Sequence, residues 1–588
     1  MPYDTKLQPT TKSAYELKFE KLKNERKVAR EYQERRHVDW NDNYELYRNK
    51  VKTNRLTQRQ AVNIPLMKET IKTLLSKIDD PPNVDWKELG GDEMKELVYQ
   101  EIWNDQFKRK KFEWIDVLDK KNVLLYGLSG KKLNICDDGV EVSVLDIYDI
   151  VFDPLMNPID IESARFIIHQ NIFRSLREVL ADERYSEEGK DKLKKWSDTK
   201  ESIVQTQDNK EELEKKQERL KAMGVDSDEF DRFAGGDTIV NICEHYTKVW
   251  NAKKKDFERR VIVYAQDEYE LMDETVEELI GVDFWPFVIW SEDPETNDVY
   301  ADSVADLVRT PNKILNIWFS QQVENRTLQN FQMHWYDATV QGYQPQTYEP
   351  GPGRMLPAPG DPNKTIMPVQ INGLDETMTA IDFLIRIVER GSGATATEKG
   401  VSEKKQITLG EVQMLVGKAM ERTVGMSKFY RGAWYELALK WDKIMQKNAP
   451  KIIKLFKKSM EGKIYPKTVY PIDWRSKEGY EPLISSSSEQ EEEQAQGLQK
   501  WQFLLRMFPL NPALRKIAAK RSLEIVDLTP QELQEVNQAE EQMQRQIPQM
   551  MSQDQTQPGQ AVQPQQASQQ QPQEDLSPLL NELSSLTK

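Results

Sequence analysis

Apolar residues recur along most of this chain with a helical period, and the sharpest pattern lies between residues 372 and 447. Leu374, Met378, Ile381, Leu384, Ile385 and Val388 share one helical face, and the run ends at Gly391, a residue type favoured just past helix ends. Residues 391–407, GSGATATEKGVSEKKQI, have no apolar period, and their three glycines oppose fixed structure. A second helix is expected from Thr408, which with Glu411 has the spacing of a capping box, to about residue 447. It would be about 60 Å long. Its apolar stripe is Val412, Leu415, Val416, Ala419, Met426, Tyr430, Ala433, Leu437, Trp441 and Ile444. Gly410, Gly417, Gly425 and Gly432 fall on the opposite side. There they permit a bend or the close approach of a neighbouring subunit, or are adventitious on an exposed face. A 17-residue loop between two defined helices is uncommon and is usually functional or disordered.

The rest of the chain alternates helices with strands. Residues 12–36 read as a charged helix, with eight basic and five acidic residues between 16 and 36. A solvated helix is the plainer reading and a grip on nucleic acid the alternative. Helical spacing continues through Trp40, Tyr44 and Tyr47, then from Ile64 to Ile78, and stops at Pro81 and Pro82. Helix is predicted again over 92–122, followed by strands up to Pro154 with turns at Gly127 to Gly130 and Asp137 to Gly139. Residues 186–223 are too polar to support a core and read as a peripheral helical insertion. Strands are expected at 238–250, 259–264 and 269–272, and FWPFVIW at 284–290 looks like a buried strand or edge.

A long helix over 302–331 follows, carrying Val304, Leu307, Val308, Ile314, Leu315, Trp318, Phe319, Val323 and Leu328. HWYDATV at 334–340 and TIMPVQI at 365–371 read as a strand and its return around a segment rich in proline and glycine. A helical module is expected near the C-terminus, with a start signal at Thr529, Pro530 and Glu532. Twelve of the 25 residues from 549 to 573 are Gln, a composition that favours a disordered tail, although LSPLLNELSSL at 576–586 has the makings of a short docking helix. The fold class is therefore mixed α+β, mainly helical.

Charge and composition narrow the function. With 82 basic and 97 acidic residues the net charge is −15, so most of the surface repels DNA and any contact with it must be local or enforced. Cys136 and Cys243 are too few for a disulfide framework and suit a reducing compartment. No apolar run approaches the length of a membrane span and no signal-peptide pattern follows Met1, which predicts a soluble chain made in the cytoplasm.

Enzyme readings find little support. GSGATATEKG lacks the Gly-Lys-Ser/Thr ending with which a phosphate-binding loop holds nucleotide and Mg²⁺. His37, His169, His245 and His334 lie far apart, and no Cys/His spacing suggests zinc. The pairs Asp137 with Asp138 and Asp149 with Asp153 read as turn and strand-end residues, Asp153 preceding Pro154. No cofactor and no catalytic residue are expected.

The order of elements resembles the portal proteins of tailed bacteriophages. Local phrases carry the likeness: YGLSGKKL at 126–133, IYDIVFDPLMNPIDIESARFII at 147–168, and the stretch from WPFVIW to YADSVADLVRTPNKILN at 285–316. It spans about residues 40–530. It implies a charged N-terminal arm (1–36), an α+β wing (37–301, with the insertion 186–223), a first stem helix (302–331), a clip (332–371) and a second stem helix (372–390). A tunnel loop (391–407), a long wing helix (408–447), wing return strands (448–488), a helical crown (489–547) and a Gln-rich tail (548–588) complete it. The helix of 12–36 and the tail match no required family element.

The resemblance implies a twelve-fold ring at one capsid vertex, closed by head-to-tail contacts. Double-stranded DNA would pass through it, driven by the large subunit of the terminase. Tail adaptor or head-completion proteins, the major capsid protein and scaffolding protein would be further partners. Assembly would take place in the host cytoplasm, the final location would be the virion, and no membrane would be involved. Lys399, Lys404 and Lys405 outnumber Glu398 and Glu403 in the loop, and repeated round a ring they would form a belt of weak phosphate contacts. A solvated, nearly neutral loop is the alternative. Tyr343, Tyr348, Arg354 and Lys364 are the candidate docking residues of the clip. A non-portal virion structural protein, such as a tail adaptor or scaffold, would share the helices and the Gln-rich tail but not the insertion between two stem-like helices.

Overall fold

The computed structural model describes residues 14–50, 62–78, 83–137, 139–199, 239–330, 334–336, 361, 366–368, 375–394, 409–448, 452–458 and 464–485. The first helix, α1 (Ala14–Tyr47), continues without a break past residue 36. It is packed, not solvated. Phe19, Leu22 and Ala29 are buried with Val151, Phe166, Ile168, Cys243, Ile262 and Tyr264 in a small core of their own. The charges between them find partners: Lys18 sits 2.7 Å from both Glu270 and Asp273, and Arg26 pairs with Asp267. Glu25 lies 2.9 Å from Nε2 of the buried His245. A helix with few apolar residues can be a packed one when the surface beneath supplies the rest of the apolar area and the opposite charges.

Helix α2 (Leu66–Leu75) buries Leu66, Met67, Ile71 and Leu74. Strand β1 (Asn83–Glu88) alternates exposed and buried residues. The helical run expected over 92–122 is two helices, α3 (Glu93–Arg109) and α4 (Phe112–Tyr126). They part at Lys111, whose φ of +57° puts it in the left-handed region. Nothing in the apolar period marks that break.

Helix α4 buries charged residues beside the apolar Phe112, Val123, Leu124 and Leu125. Its core side carries Asp116, Asp119 and Lys120, while Trp114, Val117 and Leu118 are exposed. The buried charges are paired: Lys120 with Asp116 at 2.7 Å and Lys131 with Asp119 at 2.5 Å. Nε1 of Trp290 donates to Asp119 at 2.8 Å, and the hydroxyl of Tyr430 donates to Asp116.

The strands form two main antiparallel sheets. Strands β2 (Ser129–Cys136) and β3 (Gly139–Val144) form one with β9 (Phe287–Trp290), in the order β3-β2-β9. The other is a five-stranded meander of β4 (Ile150–Phe152), β5 (Phe166–Ser175), β6 (Ile239–Asn251), β7 (Asp256–Ala265) and β8 (Tyr269–Thr275). Between β5 and β6, helix α5 (Glu187–Thr199) buries Leu193 and docks beside β8, where Ser186 N–H reaches Leu271 O at 2.7 Å. Residues 200–223 of the expected insertion lie outside the described residues. Strand β9 (Phe287–Trp290) is buried throughout, as FWPFVIW predicts.

Asp153 shows what the acidic pairs do. Its carboxylate takes both Nε and Nη2 of Arg165, at 2.7 and 2.6 Å, and the backbone N–H of Leu155 at 3.0 Å. It organises a turn.

The chain then leaves along α6 (Val304–Asn330), passes through β10 (His334–Tyr336) and β11 (Ile366–Pro368), and returns along α7 (Asp375–Ser392) to the long helix α8 (Leu409–Lys447). Strands β12 (Ile453–Lys458) and β13 (Ile464–Val469) pair with each other, and β14 (Tyr480–Ser485) pairs antiparallel with β1. Aromatic rings fill this closing junction. Tyr99 of α3 stacks on Tyr480 at 3.9 Å, and Trp103 meets Trp441 of α8 edge-on at 4.8 Å. The Tyr99 hydroxyl donates to Asp442 at 2.5 Å, so α8 is locked into the body over its C-terminal half.

Candidate functional site

The helix, hairpin, helix and long helix that stood out in the sequence form one module. Helix α6 is capped reciprocally: Asp306 N–H donates to Ser303 Oγ at 3.1 Å, and Ser303 N–H donates to Asp306 Oδ2 at 2.9 Å. Arg36 of α1 reaches Asp302 and Asp306, both at 2.8 Å, and Arg309 reaches Asp39 at 2.8 Å. Val304 N–H, at the helix start, donates to Glu292 Oε1 at 2.7 Å. Burial pushes the Glu292 carboxyl up to about 8; the nearby Asp293 and Asp306 add to this and the Val304 N–H opposes it.

A polar ladder holds α6 to the segment before α2. Asn312, Asn316 and Ser320, four residues apart, accept backbone N–H groups from Met67, Ile64 and Val62 at 3.1, 2.8 and 3.0 Å. All three side chains are buried. The apolar period over 302–331 does not reveal them; the signal available was an i, i+4, i+8 set of small polar residues on the buried side of the helix.

Helices α6 and α7 pack along each other, α7 burying Ile381 and Val388 and half-burying Leu384 and Ile385. Gly391 is not the stop that its position suggests. It lies inside α7, and a Cβ there would come within 3.0 Å of Leu307 Cδ2. The start of α6 therefore meets the end of α7, and the two helices run antiparallel. The left-handed turn that ends α7 is at Gly393, with φ +78°. Gly393 N–H donates to Glu389 O at 2.9 Å, Ser392 Oγ donates to Val388 O at 2.8 Å, and Lys77 Nζ donates to Gly393 O at 2.6 Å.

At the other end, β10 and β11 pair antiparallel, His334 opposite Pro368 and Tyr336 opposite Ile366. The two strands fall within the expected 334–340 and 365–371, whose remaining residues lie outside the described ones. Met378, expected on the packed face of α7, is exposed, as are Phe383 and Ile387. Gly425 and Gly432 of α8 face open space, on the side away from the buried Tyr430, Ala433, Leu437 and Trp441.

The residues singled out for binding, Lys399, Lys404 and Lys405 and Tyr343, Tyr348, Arg354 and Lys364, lie outside the described residues. So do Thr408, residues 449–451 and everything after residue 485. The residues that hold the module in place, Lys77, Asn312, Asn316 and Ser320, were not foreseen from the sequence. Among the described residues no group of three His, Cys, Asp or Glu side chains is placed to hold a metal ion, and no helix is long and apolar enough to cross a membrane.

Two antiparallel helices that carry a hairpin at one end and lead into a long helix at the other, all mounted on a mixed α+β body, have the element order of a phage portal protein. The chain belongs to the phage SU10 portal protein family, whose family model matches residues 37–577. No curated protein matches the chain significantly. It is a structural component of the phage capsid, the portal at the vertex that connects head and tail.

Proposed function

We propose that α6 and α7 are the two stem helices of a portal ring, with residues 332–371 forming the clip and 391–407 the tunnel loop. In this reading residues 37–301 and 448–488 form the wing with the long helix 408–447, residues 489–547 form the crown, and residues 1–36 and 548–588 are terminal additions. About twelve subunits close head to tail around a channel for double-stranded DNA. The terminase supplies the energy for packaging, and the portal itself acts as a conduit without catalysis. Tail adaptor or head-completion proteins dock on the clip through Tyr343, Tyr348, Arg354 and Lys364, and capsid and scaffolding proteins surround the wing.

The observation that supports this most is the anchored antiparallel pair. Both helices of the module are tied to the body, α6 by the ladder at Asn312, Asn316 and Ser320 and α7 by Lys77 at Gly393. A loop that leaves from such a base is held in one place relative to the body. Repeated round a ring, it makes a constriction of defined radius. An acidic chain with three lysines at that constriction lets DNA slide, since many strong phosphate contacts would stall it. Negative-stain microscopy of the purified full-length protein tests the reading: rings with a central hole are expected, and monomers or open fibres would overturn it.

A further inference from the structure

The hairpin of β6 and β7 is longer than the sheet that contains it. On one side β5 follows β6 as far as Thr247, and Lys248 N–H still reaches Arg165 O at 2.9 Å. On the other side β8 follows β7 only from Arg260, and Arg259 is held by Glu162 and Asp283 at 3.1 and 3.2 Å. The pairs Val249↔Glu258, Trp250↔Phe257 and Asn251↔Asp256 stand beyond both neighbours. At about 3.3 Å per residue they extend as a two-stranded ribbon for about 10 Å, plus the turn.

The ribbon has a built tip. Asn251 Oδ1 accepts the N–H groups of Lys253 and Lys254 at 2.9 and 3.3 Å, and Lys255 N–H donates to Asn251 O at 2.8 Å. Trp250 and Phe257 sit directly opposite each other with ring centroids 5.1 Å apart, edge to face, yet remain 54% and 57% exposed. Lys254 is paired with Glu258 at 2.8 Å. Lys253 and Lys255 have no acidic partner among the described residues. An isolated two-stranded ribbon is marginal in water, and one that carries two large exposed rings is shaped for a surface that will cover them.

The chemistry of the tip selects a protein surface over DNA. Three lysines stand against Asp256 and Glu258, too small an excess to hold a polyanion, and a closed duplex gives the two rings no apolar surface without unstacking. A fitting partner is acidic overall and has uncovered apolar residues. This chain is such a surface: its net charge is −15, and Trp114, Val117 and Leu118 are exposed on α4. A head-to-tail ring also requires each copy to offer two different faces to its neighbours.

We propose that the β6–β7 ribbon is an intersubunit clasp: Trp250 and Phe257 seat on an apolar patch of the adjacent copy, and Lys253 and Lys255 meet carboxylates at its rim. The clasp rests on the ring reading above. Its test uses the full-length chain with Phe257→p-benzoylphenylalanine, irradiated as assembled rings. Covalent products of two chains, with the link from residue 257 to a peptide of the other copy, are expected. Links confined to the same chain, or links to added duplex DNA in place of a second copy, would overturn the clasp.

The double variant W250A/F257A is expected to raise the concentration at which half the protein is assembled by about tenfold or more, the loss of at least one anchoring contact. K253E/K255E leaves the ring pair intact and is expected to weaken assembly in the same direction, less so at high salt. Both substitutions lie beyond the sheet, so the circular dichroism spectrum serves as the folding control. Rings that assemble at unchanged concentration in both variants would overturn the clasp and leave the ring reading standing. A wild-type chain that stays monomeric would overturn both.

Discussion

The ammonium of Lys77, just past the end of α2, donates a 2.6 Å hydrogen bond to the carbonyl oxygen of Gly393, the left-handed residue that ends α7. One side chain thus joins a helix near the start of the chain to the base of the loop that follows α7. A hydrogen bond from a charged donor contributes about 1.5–3 kcal/mol. Lys77→Met should therefore raise amide exchange at residues 392–394 by about tenfold or more, with little effect on the global melting temperature. Unchanged protection there would show that the loop base is held by the helix end alone.

Asn312 accepts the N–H of Met67, a fully buried residue. Asn312→Ala leaves that donor unsatisfied and should cost about 1–3 kcal/mol. Urea denaturation of the full chain should show a lower midpoint, and hydrogen exchange should localise the loss to residues 62–67. A midpoint equal to wild type would mean that another acceptor replaces Asn312.

Glu292 places a pH dependence at the start of α6. Its carboxyl is raised from the ordinary 4.5 to about 8 in the folded protein. A raised acid contributes its stability fully below the unfolded value and loses it as pH rises through the folded one, at about 1.4 kcal/mol per unit. Glu292→Gln keeps an oxygen for the Val304 N–H and cannot ionise. Between about pH 4.5 and about pH 8 the wild type should lose thermal stability relative to this variant, the gap widening with pH and levelling off above about pH 8. Parallel melting curves at both ends of that range would rule out Glu292 as the titrating group.

The tunnel-loop reading of Lys399, Lys404 and Lys405 has its own test. Replacing all three by Ala removes a positive belt from the proposed constriction, so retention of packaged DNA should fall severalfold while rings assemble normally. Packaging and retention indistinguishable from wild type would leave these lysines as a solvated loop.

Elements with a strong local period were legible in the sequence. Helices α7 and α8 lie close to where apolar spacing put them, and β9, β10 and β11 were visible as short runs of strand-forming residues. What stayed hidden depends on partners far along the chain. The core side of α4 reads as polar because its carboxylates meet Lys131, Trp290 and Tyr430 only after folding. The charged face of α1 reads as solvated because Glu270, Asp273 and Asp267 arrive from β8 and the turn before it. Gly391 reads as a helix stop because nothing local announces that Leu307 will lie against it. In each case the deciding contact spans tens to hundreds of residues, beyond the reach of any periodicity.

The pairing of β1 with β14 has a consequence for how this chain comes into being. Asn83 waits for Ser485, about 400 residues later, which at 5–20 residues per second is roughly 20–80 s of translation. Through that interval the inward face of β1, with Val84 and Trp86, has no strand beside it. Helices α6, α7 and α8 are synthesised inside this interval. A nascent chain therefore holds these three helices before β1 has its partner strand, and closure of this sheet is a late event in the making of the chain.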